Sequence, residues 1–311
     1  MDYAMPGFLA RVVSALGFAL VSLHAGGVER LSLAITPIGS SMEIPATLIK
    51  PEGEGPFPAV VIVHDCSGLG PRSSGAPLRW AGELVPQGYV VIVPDSFSPR
   101  GFPDGVCIIP GSQTGSVNGY VRAADAYGAL AALRTLPYVD GKRVGIMGGS
   151  HGGWTTLAAM YVPVDANDPL TAAKRDGFAA AVALYPSCAP RYGAWSTSKF
   201  GYFGPPASYS GEYQPVAPLL ILVGEKDDWT PAEPCRHLAE ASRAAGYPVD
   251  LKIYPDAHHA FDSNFPVRYD ARRNNSSSPS GRGATTGGNP AAWEDAKKEV
   301  ADFFARHLKP R

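Results

Sequence analysis

The chain has 311 residues, of which 45% are hydrophobic and 18% charged, so it holds enough apolar material for a large core and is not expected to be disordered. Its formal net charge of -1 argues against a nucleic-acid partner, because phosphate binding normally requires an excess of basic residues. The 35 glycines and 30 prolines predict many turns and loops, which is where small-molecule chemistry is carried over a rigid sheet.

The first 27 residues have the pattern of a leader and are left out of the fold prediction. An apolar run at residues 12–23 follows Arg11, and Ala25 and Gly27 then supply small residues, as in a signal peptide with its cleavage site. The run is too short to span a bilayer, and no later segment is long and apolar enough for stable membrane insertion. We therefore expect export, periplasmic or secreted, with a cytoplasmic protein and a disordered leader as the alternative.

Short apolar runs define the predicted strands from residue 28 onward. Residues 29–36 and 43–50 predict two opening strands that pair as an antiparallel edge of the sheet. Later, continuous apolar runs predict strands that are buried on both faces, as in a parallel sheet. These runs lie at residues 58–64, 89–94, 143–148, 178–185, 218–224 and, more weakly, 250–254.

Helical stretches alternate with these strands. They lie at residues 77–86, 117–136, 154–161, 231–245 and 291–308. The alternation predicts βαβ units and a mostly parallel central sheet with helices on both faces, in a single α/β domain that covers residues 28–311. The polar, low-complexity stretch 272–289, just before the last helix, predicts a flexible surface loop.

The strongest chemical motif is the turn Gly148-Gly149-Ser150-His151-Gly152-Gly153, which places G-x-S-x-G directly between a predicted strand and a predicted helix. A serine on so sharp a turn has a strained backbone, and its close neighbours must therefore lack side chains. The free N–H groups and the positive dipole end of the following helix favour an oxyanion near Ser150. This setting predicts a nucleophilic serine on an α/β-hydrolase fold.

A serine hydroxyl needs an adjacent base, and in this fold the acid and then the histidine follow the serine along the chain. Asp227 and Asp228 follow the strand at 218–224, and His258 and His259 follow the strand at 250–254. Because parallel strands end at the same sheet edge, either carboxylate and either imidazole can reach the serine. The spacing alone leaves both choices open.

A metal site is the rival interpretation of the same histidine loop. Its candidate ligands are Asp256, His258, His259 and Asp262. The chain has no H-E-x-x-H or comparable spacing, and adjacent side chains rarely reach one ion together, so neither a metal nor another cofactor is expected.

Residues 43–265 resemble the dienelactone hydrolase family. The central stretch of that family is similar to Asp125, Ala129-Leu130, Leu133, Pro137, Val139-Asp140, Arg143-Val144 and the GGSHGG turn; its acid loop is similar to Gly224-Glu225-Lys226-Asp227 with Pro231; its histidine loop is similar to Tyr254, Ala257, His259 and Phe261. The resemblance implies that Asp227 is the catalytic acid and His259 the base.

Dienelactone hydrolase itself has a cysteine at the nucleophile position, where this chain has Ser150. Since many relatives with serine are ester hydrolases, the resemblance implies a serine hydrolase that cleaves a small carboxylic ester or lactone through an acyl-enzyme intermediate. One alternative is a peptidase of the oligopeptidase-like branch, although such peptidases usually carry a propeller domain for which this chain has no room. The other alternative is a non-catalytic binding protein, which typically loses a triad member, whereas this chain retains all three.

An oxyanion hole needs two N–H donors aimed at the developing charge. One is predicted at His151, the residue after the nucleophile, and the resemblance implies the backbone N–H of Cys66 as the other. Asp65 stands where the family places an acidic residue that contacts the resting nucleophile. Arg100 lies near the position of a family arginine that holds a substrate carboxylate, and a surface salt bridge is the alternative interpretation.

The four cysteines contain no C-x-x-C motif, so a zinc ribbon or thioredoxin-type site is not indicated. Cys188 follows the strand at 178–185 and Cys235 follows the acid loop, which places both at the same sheet edge. We therefore predict a Cys188–Cys235 disulfide in an exported chain, with Cys66–Cys107 as the complementary pair. The sequence gives no indication of the oligomeric state.

Overall fold

The computed structural model describes residues 29–165, 167–199, 201 and 203–309. The predicted leader, at residues 1–27, lies outside the described residues. Among the helices of these described ranges, none combines the length and the apolar character that crossing a membrane requires.

A central sheet of eight strands carries the fold, and two small hairpins lie outside it. In chain order the strands are β1 (Glu29–Ile35), β2 (Ile44–Lys50), β3 (Phe57–Val63), β4 (Val90–Pro94), β5 (Val139–Gly149), β6 (Ala180–Leu184), β7 (Ser196–Ser198), β8 (Ser208–Ser210), β9 (Leu219–Gly224), β10 (Val249–Tyr254), β11 (Arg268–Asn274) and β12 (Arg282–Thr286). The central order is β1-β2-β4-β3-β5-β6-β9-β10, while β7 pairs with β8 and β11 with β12.

Strand direction follows the burial pattern of the sequence. Strand β2 pairs antiparallel with β1 and with β4, whereas every pair from β4 to β10 is parallel. Strands β4, β6 and β9 are buried at every residue, because helices cover both faces of the sheet. The predicted antiparallel edge and the predicted parallel sheet are therefore both confirmed.

Within the described residues, six α-helices surround the sheet. They are α1 (Ala76–Leu84), α2 (Gly119–Arg134), α3 (His151–Met160), α4 (Thr171–Arg175), α5 (Ala232–Ala244) and α6 (Pro290–Leu308). Helices α2, α3 and α5 contribute to the core on one face of the sheet, and α1 and α6 contribute to the core on the other. The side chains of Val61 and Val63 join the first core and those of Val60 and Ile62 join the second, since successive side chains of a strand point to opposite faces.

The prediction of a flexible loop at residues 272–289 is wrong. Most of that stretch belongs to the antiparallel β11–β12 hairpin. Both oxygens of the Asp228 carboxylate accept hydrogen bonds from Thr285, at 2.8 Å each, and the indole of Trp229 donates to the carbonyl of Asn274 at 2.8 Å. Since polar side chains and backbone contacts hold the hairpin, it lacks the apolar alternation by which a strand is recognised in a sequence.

Candidate active site

Ser150 occupies the sharp turn between β5 and α3. Its backbone has φ 57° and ψ -117°, and its N–H donates to the carbonyl of Leu184 at 2.9 Å. A Cβ atom on Gly152 would lie 2.1 Å from the carbonyl oxygen of Val63, so only glycine fits there. The close approach of α3 to β3 holds the serine in a strained conformation at the end of the central strand.

Two hydrogen bonds link Ser150, His259 and Asp227 in series. His259 Nε2 lies 2.8 Å from Ser150 Oγ, and His259 Nδ1 lies 2.8 Å from Asp227 Oδ2. The residues are only 8%, 2% and 4% exposed, respectively. With Nδ1–H donating to the carboxylate, Nε2 is free to accept the serine proton. The geometry is that of a nucleophile, a base and an acid that orients the base.

The acid is held by its own loop. Asp227 Oδ1 accepts the backbone N–H groups of Trp229 at 2.9 Å and Thr230 at 2.8 Å. The Thr230 hydroxyl lies 3.1 Å from Asp227 Oδ2 and donates to the carbonyl of Tyr185 at 2.9 Å. These contacts leave Oδ2 directed at His259.

The neighbours that competed for these roles in the sequence have other partners. Asp228 binds Thr285, and the half-buried His258 donates from Nδ1 to the carbonyl of Lys226 at 3.0 Å. Asp256 pairs with Lys226 at 2.5 Å. The candidate ligands of the rival metal site therefore do not converge on one point.

Tyr185 packs against His259 and is hydrogen-bonded to Asp262, and the sequence interpretation gave neither residue this role. The Asp262 carboxylate accepts the Trp80 indole N–H at 2.7 Å and the Tyr185 hydroxyl at 2.8 Å. Burial raises the pKa of Asp262 and the pKa of Tyr185. The Tyr185 ring contacts His259 edge-on, with centroids 4.8 Å apart.

The predicted oxyanion donors lie beside the nucleophile. His151 is the first residue of α3, so its N–H has no acceptor within the helix. Cys66 follows β3 and lines the same cavity as Ser150 and His151. Both N–H groups are thus at the edge of the sheet where Ser150 lies.

 Arg122, on α2, donates to the carbonyl of His64 at 2.7 Å and to Nδ1 of His151 at 2.7 Å. Burial lowers the pKa of Arg122 to about 10, so it stays charged at neutral pH. Burial and this charge together lower the pKa of His151 and the pKa of His64, which keeps both imidazoles neutral. In the sequence, Arg122 stands out only as a basic residue in an alanine-rich helix.

Asp65 lines the cavity beside Ser150, but its carboxylate binds within its own loop. It accepts the N–H of Ser67 at 2.7 Å and the hydroxyl groups of Ser67 and Ser74. The hydrogen bonds of this carboxylate thus shape the loop that carries Cys66, and the expected contact with the resting nucleophile is replaced by these bonds.

The structure does not bring Arg100 to the site. Its guanidinium forms a two-pronged ion pair with Asp125, at 2.9 Å and 2.7 Å, and donates to the carbonyl of Ser96 at 2.7 Å. The Asp125 side chain is fully buried, and an unpaired buried carboxylate would be costly, so the arginine is taken up by this pair. The ion pair is internal, which also corrects the alternative of a surface salt bridge.

Two cavities meet at Ser150, with volumes of about 270 Å³ and 360 Å³. The first contains His259 and the arginines Arg72, Arg79, Arg268 and Arg273. The second contains His151, Trp154 and Pro190. Cys66, Cys107 and Trp229 line both cavities and therefore form the wall between them.

All four cysteines are paired. Disulfides join Cys66 to Cys107 and Cys188 to Cys235, each with 5.0 Å between the Cα atoms. The first lies in the wall between the cavities, and the second is buried in the core.

Comparison with known proteins gives a consistent result. The model of the dienelactone hydrolase family matches residues 44–308. A Yersinia pestis protein provisionally named carboxymethylenebutenolidase is 28% identical over 259 residues, which cover 81% of this chain and 86% of that protein. A Klebsiella pneumoniae structure provisionally named dienelactone hydrolase has a TM-score of 0.57 at 20% identity, covering 90% of this chain and 100% of the other. Thermogutta terrifontis esterase 2 has a TM-score of 0.57 at 18% identity, covering 92% and 97%.

Proposed function

Because the chain belongs to the dienelactone hydrolase family, a family of hydrolases, we propose that it is a serine hydrolase that cleaves a small carboxylic ester or lactone. The observation that carries this proposal is the buried series Ser150–His259–Asp227, joined by hydrogen bonds of 2.8 Å. The name of the Yersinia pestis relative, which refers to a butenolide lactone, supports the same bond type.

Acylation begins when Ser150 Oγ attacks the carbonyl carbon of the substrate while His259 Nε2 takes the hydroxyl proton. The negative charge that develops on the carbonyl oxygen is stabilised by the N–H groups of His151 and Cys66. Asp227 stabilises the imidazolium and keeps its orientation. His259 then gives the proton to the leaving oxygen, the carbon–oxygen bond breaks, and an acyl-enzyme remains on Ser150.

Deacylation uses the same groups in reverse. A water molecule gives a proton to His259 Nε2 as its oxygen attacks the acyl carbon, and the second tetrahedral oxyanion occupies the same pair of N–H groups. Collapse returns the proton to Ser150 Oγ and releases the carboxylic acid. In a lactone the leaving oxygen and the acyl group belong to one molecule, and both steps are otherwise the same.

The two cavities suggest how the halves of a substrate are arranged. The leaving oxygen has to lie near His259, which lines the first cavity, while the oxyanion donor His151 lines the second. We therefore place the alcohol side of the substrate in the first cavity and the acyl side in the second.

We also propose that the protein is exported. Disulfides persist in oxidising compartments and are rare in cytosolic proteins. The two disulfides described above therefore agree with the leader-like pattern of residues 1–27. Mass spectrometry of the mature protein from its native host tests this, because export predicts an N-terminus close to residue 28. A mature chain that retains residues 1–27 would count against it.

The catalytic proposal is tested with a panel of p-nitrophenyl esters and lactones on wild type and on Ser150→Ala. Ser208→Ala is a matched control, since Ser208 lies in the β7–β8 hairpin outside both cavities. We expect turnover by wild type and Ser208→Ala, and its loss in Ser150→Ala. A fluorophosphonate probe should label wild type at Ser150. Absence of labelling and of turnover in the folded wild type would favour a binding protein, and cleavage of peptide amides in preference to esters would favour a peptidase.

A further inference from the structure

Besides the hydrogen bonds of Asp65 within its own loop, Cys66 is held by a neighbouring segment, residues 105–107. Val106 N–H donates to the carbonyl of Cys66 at 2.7 Å, and Cys107 forms the disulfide with its side chain. A Cβ atom on Gly105 would lie 2.5 Å from the same carbonyl oxygen. The backbone of Cys66 is therefore in direct contact with this segment, and its side chain is covalently joined to it.

That segment lies within the connection between β4 and α2, which has 3₁₀ turns but neither an α-helix nor a strand. The β11–β12 hairpin supports it from outside. Asn274 N–H donates to the carbonyl of Cys107 at 2.9 Å, and the Arg282 guanidinium donates to the carbonyl of Ile108 at 3.2 Å. The hairpin is itself only partly buried. Between the segment and Cys66 there are one backbone hydrogen bond and the covalent disulfide, and the disulfide is the stronger link.

We propose that Cys107 is a positioning residue for the hydrolytic reaction, acting through its disulfide to hold the Cys66 N–H at the oxyanion. The inference rests on the proposed function. Loss of one oxyanion donor typically costs about 100- to 1000-fold in kcat. Because breaking the disulfide displaces the donor without removing it, we expect a loss of about 10- to 100-fold in kcat.

The second disulfide provides a matched control. The two bonds connect residues 41 and 47 positions apart, so the loops that they close are of similar length and their removal should change the unfolded chain to a similar extent. Cys188 and Cys235 line neither cavity. A purely stabilising role therefore predicts the same behaviour for both disulfides, whereas a positioning role predicts different rates.

The experiment compares wild type, Cys66→Ser/Cys107→Ser and Cys188→Ser/Cys235→Ser, measured with p-nitrophenyl acetate well below the melting temperature of each. For the first pair we expect kcat to fall about 10- to 100-fold with KM changed less than about threefold. We also expect the inhibition constant of a trifluoromethyl ketone, whose adduct places an oxyanion in the same position, to rise by a similar factor. For the second pair we expect kcat and this constant to remain within about threefold of wild type.

Reduction of the wild-type protein tests the proposal without any substitution. Cys107 is partly exposed, whereas Cys188 and Cys235 are buried, so graded dithiothreitol should open the first disulfide first. Mass spectrometry after thiol alkylation identifies the open bond, and activity should fall with opening of Cys66–Cys107 and return on reoxidation. This titration decides the question if the serine pair does not fold.

Three outcomes would overturn the proposal, and the measurements distinguish loss of the positioning role from loss of the proposed function. An active wild type whose kcat and ketone affinity survive loss of Cys66–Cys107, by substitution or by reduction, removes the positioning role alone. Equal losses from removal of either disulfide would do the same. A folded wild type that cleaves no ester and is not labelled at Ser150 removes the proposed function and this inference with it.

Discussion

Replacement of Asp227 by asparagine should disable the base without disturbing its surroundings. Oδ1 of Asp227 accepts two backbone N–H groups, so the carbonyl oxygen of an asparagine has to take that position. Its NH₂ group then occupies the position of Oδ2 and faces His259 Nδ1 at 2.8 Å. An N–H donor at this point favours the tautomer with the proton on Nε2, which cannot accept a proton from Ser150.

The cost follows from the loss of the reactive tautomer. By analogy with the equivalent substitution in a serine protease triad, we expect kcat to fall about 10⁴-fold, or about 5.4 kcal/mol of transition-state stabilisation at 1.36 kcal/mol per factor of ten. The assay is p-nitrophenyl acetate hydrolysis at neutral pH, with circular dichroism to verify the fold.

Asp228→Asn is the adjacent control. Asp228 binds Thr285 and has no contact with His259 in the described hydrogen bonds, so we expect its loss of kcat to stay below about tenfold. The reasoning is refuted if Asp227→Asn keeps more than a tenth of the wild-type kcat, or if Asp228→Asn is impaired as strongly.

Three further predictions concern buried ionisable groups. Arg122→Met removes the donor to the His64 carbonyl and to His151. The unfolding free energy, measured in urea, should fall by about 1–3 kcal/mol per group left unpaired, and kcat should fall as well. An unchanged urea midpoint would contradict this prediction. The folded pKa values of His64 and His151 lie below the unfolded value of about 6.5, so the unfolded state binds more protons as the pH falls. The unfolding free energy should therefore decline below about pH 6.5 by up to about 1.4 kcal/mol per pH unit for each histidine. The decline should be shallower in His151→Gln, and an equal slope would exclude His151 as a cause of it. Arg100→Met should destabilise the fold by about 3–5 kcal/mol because Asp125 stays buried and unpaired, while the KM ratio between anionic and neutral esters stays constant; a rise in KM for anionic esters alone would restore a substrate-binding role.

The parts of the fold that the sequence predicted well have a strong apolar signal. Strands β4, β6 and β9 are uniformly buried, and their apolar runs can be read directly. The turn around Ser150 was recognisable because its glycines are required by close backbone contacts. Family resemblance was needed to prefer Asp227 and His259 over their neighbours, since adjacent residues of one loop differ only in direction.

The parts that were missed depend on contacts between distant polar residues. Arg100 and Asp125 are 25 positions apart, and Asp262 is 182 positions from Trp80, so no local pattern reveals either pair. The β11–β12 hairpin is held by the acid loop and not by an apolar face of its own. Burial of polar groups is decided by three-dimensional partners, which composition and periodicity do not encode.

The β11–β12 hairpin joins the loops that carry the acid, an oxyanion donor and the histidine. It is bonded to Asp228 in the acid loop and to Cys107 beside the oxyanion loop, and just beyond β12 the N–H of Gly287 donates to the carbonyl of His259 at 3.0 Å. Segments far apart in the chain thus share one support, so their backbone amides should exchange with deuterium as a single cooperative unit. Proteolytic nicking within the hairpin would then reach the chemistry at Ser150 while leaving the central sheet intact.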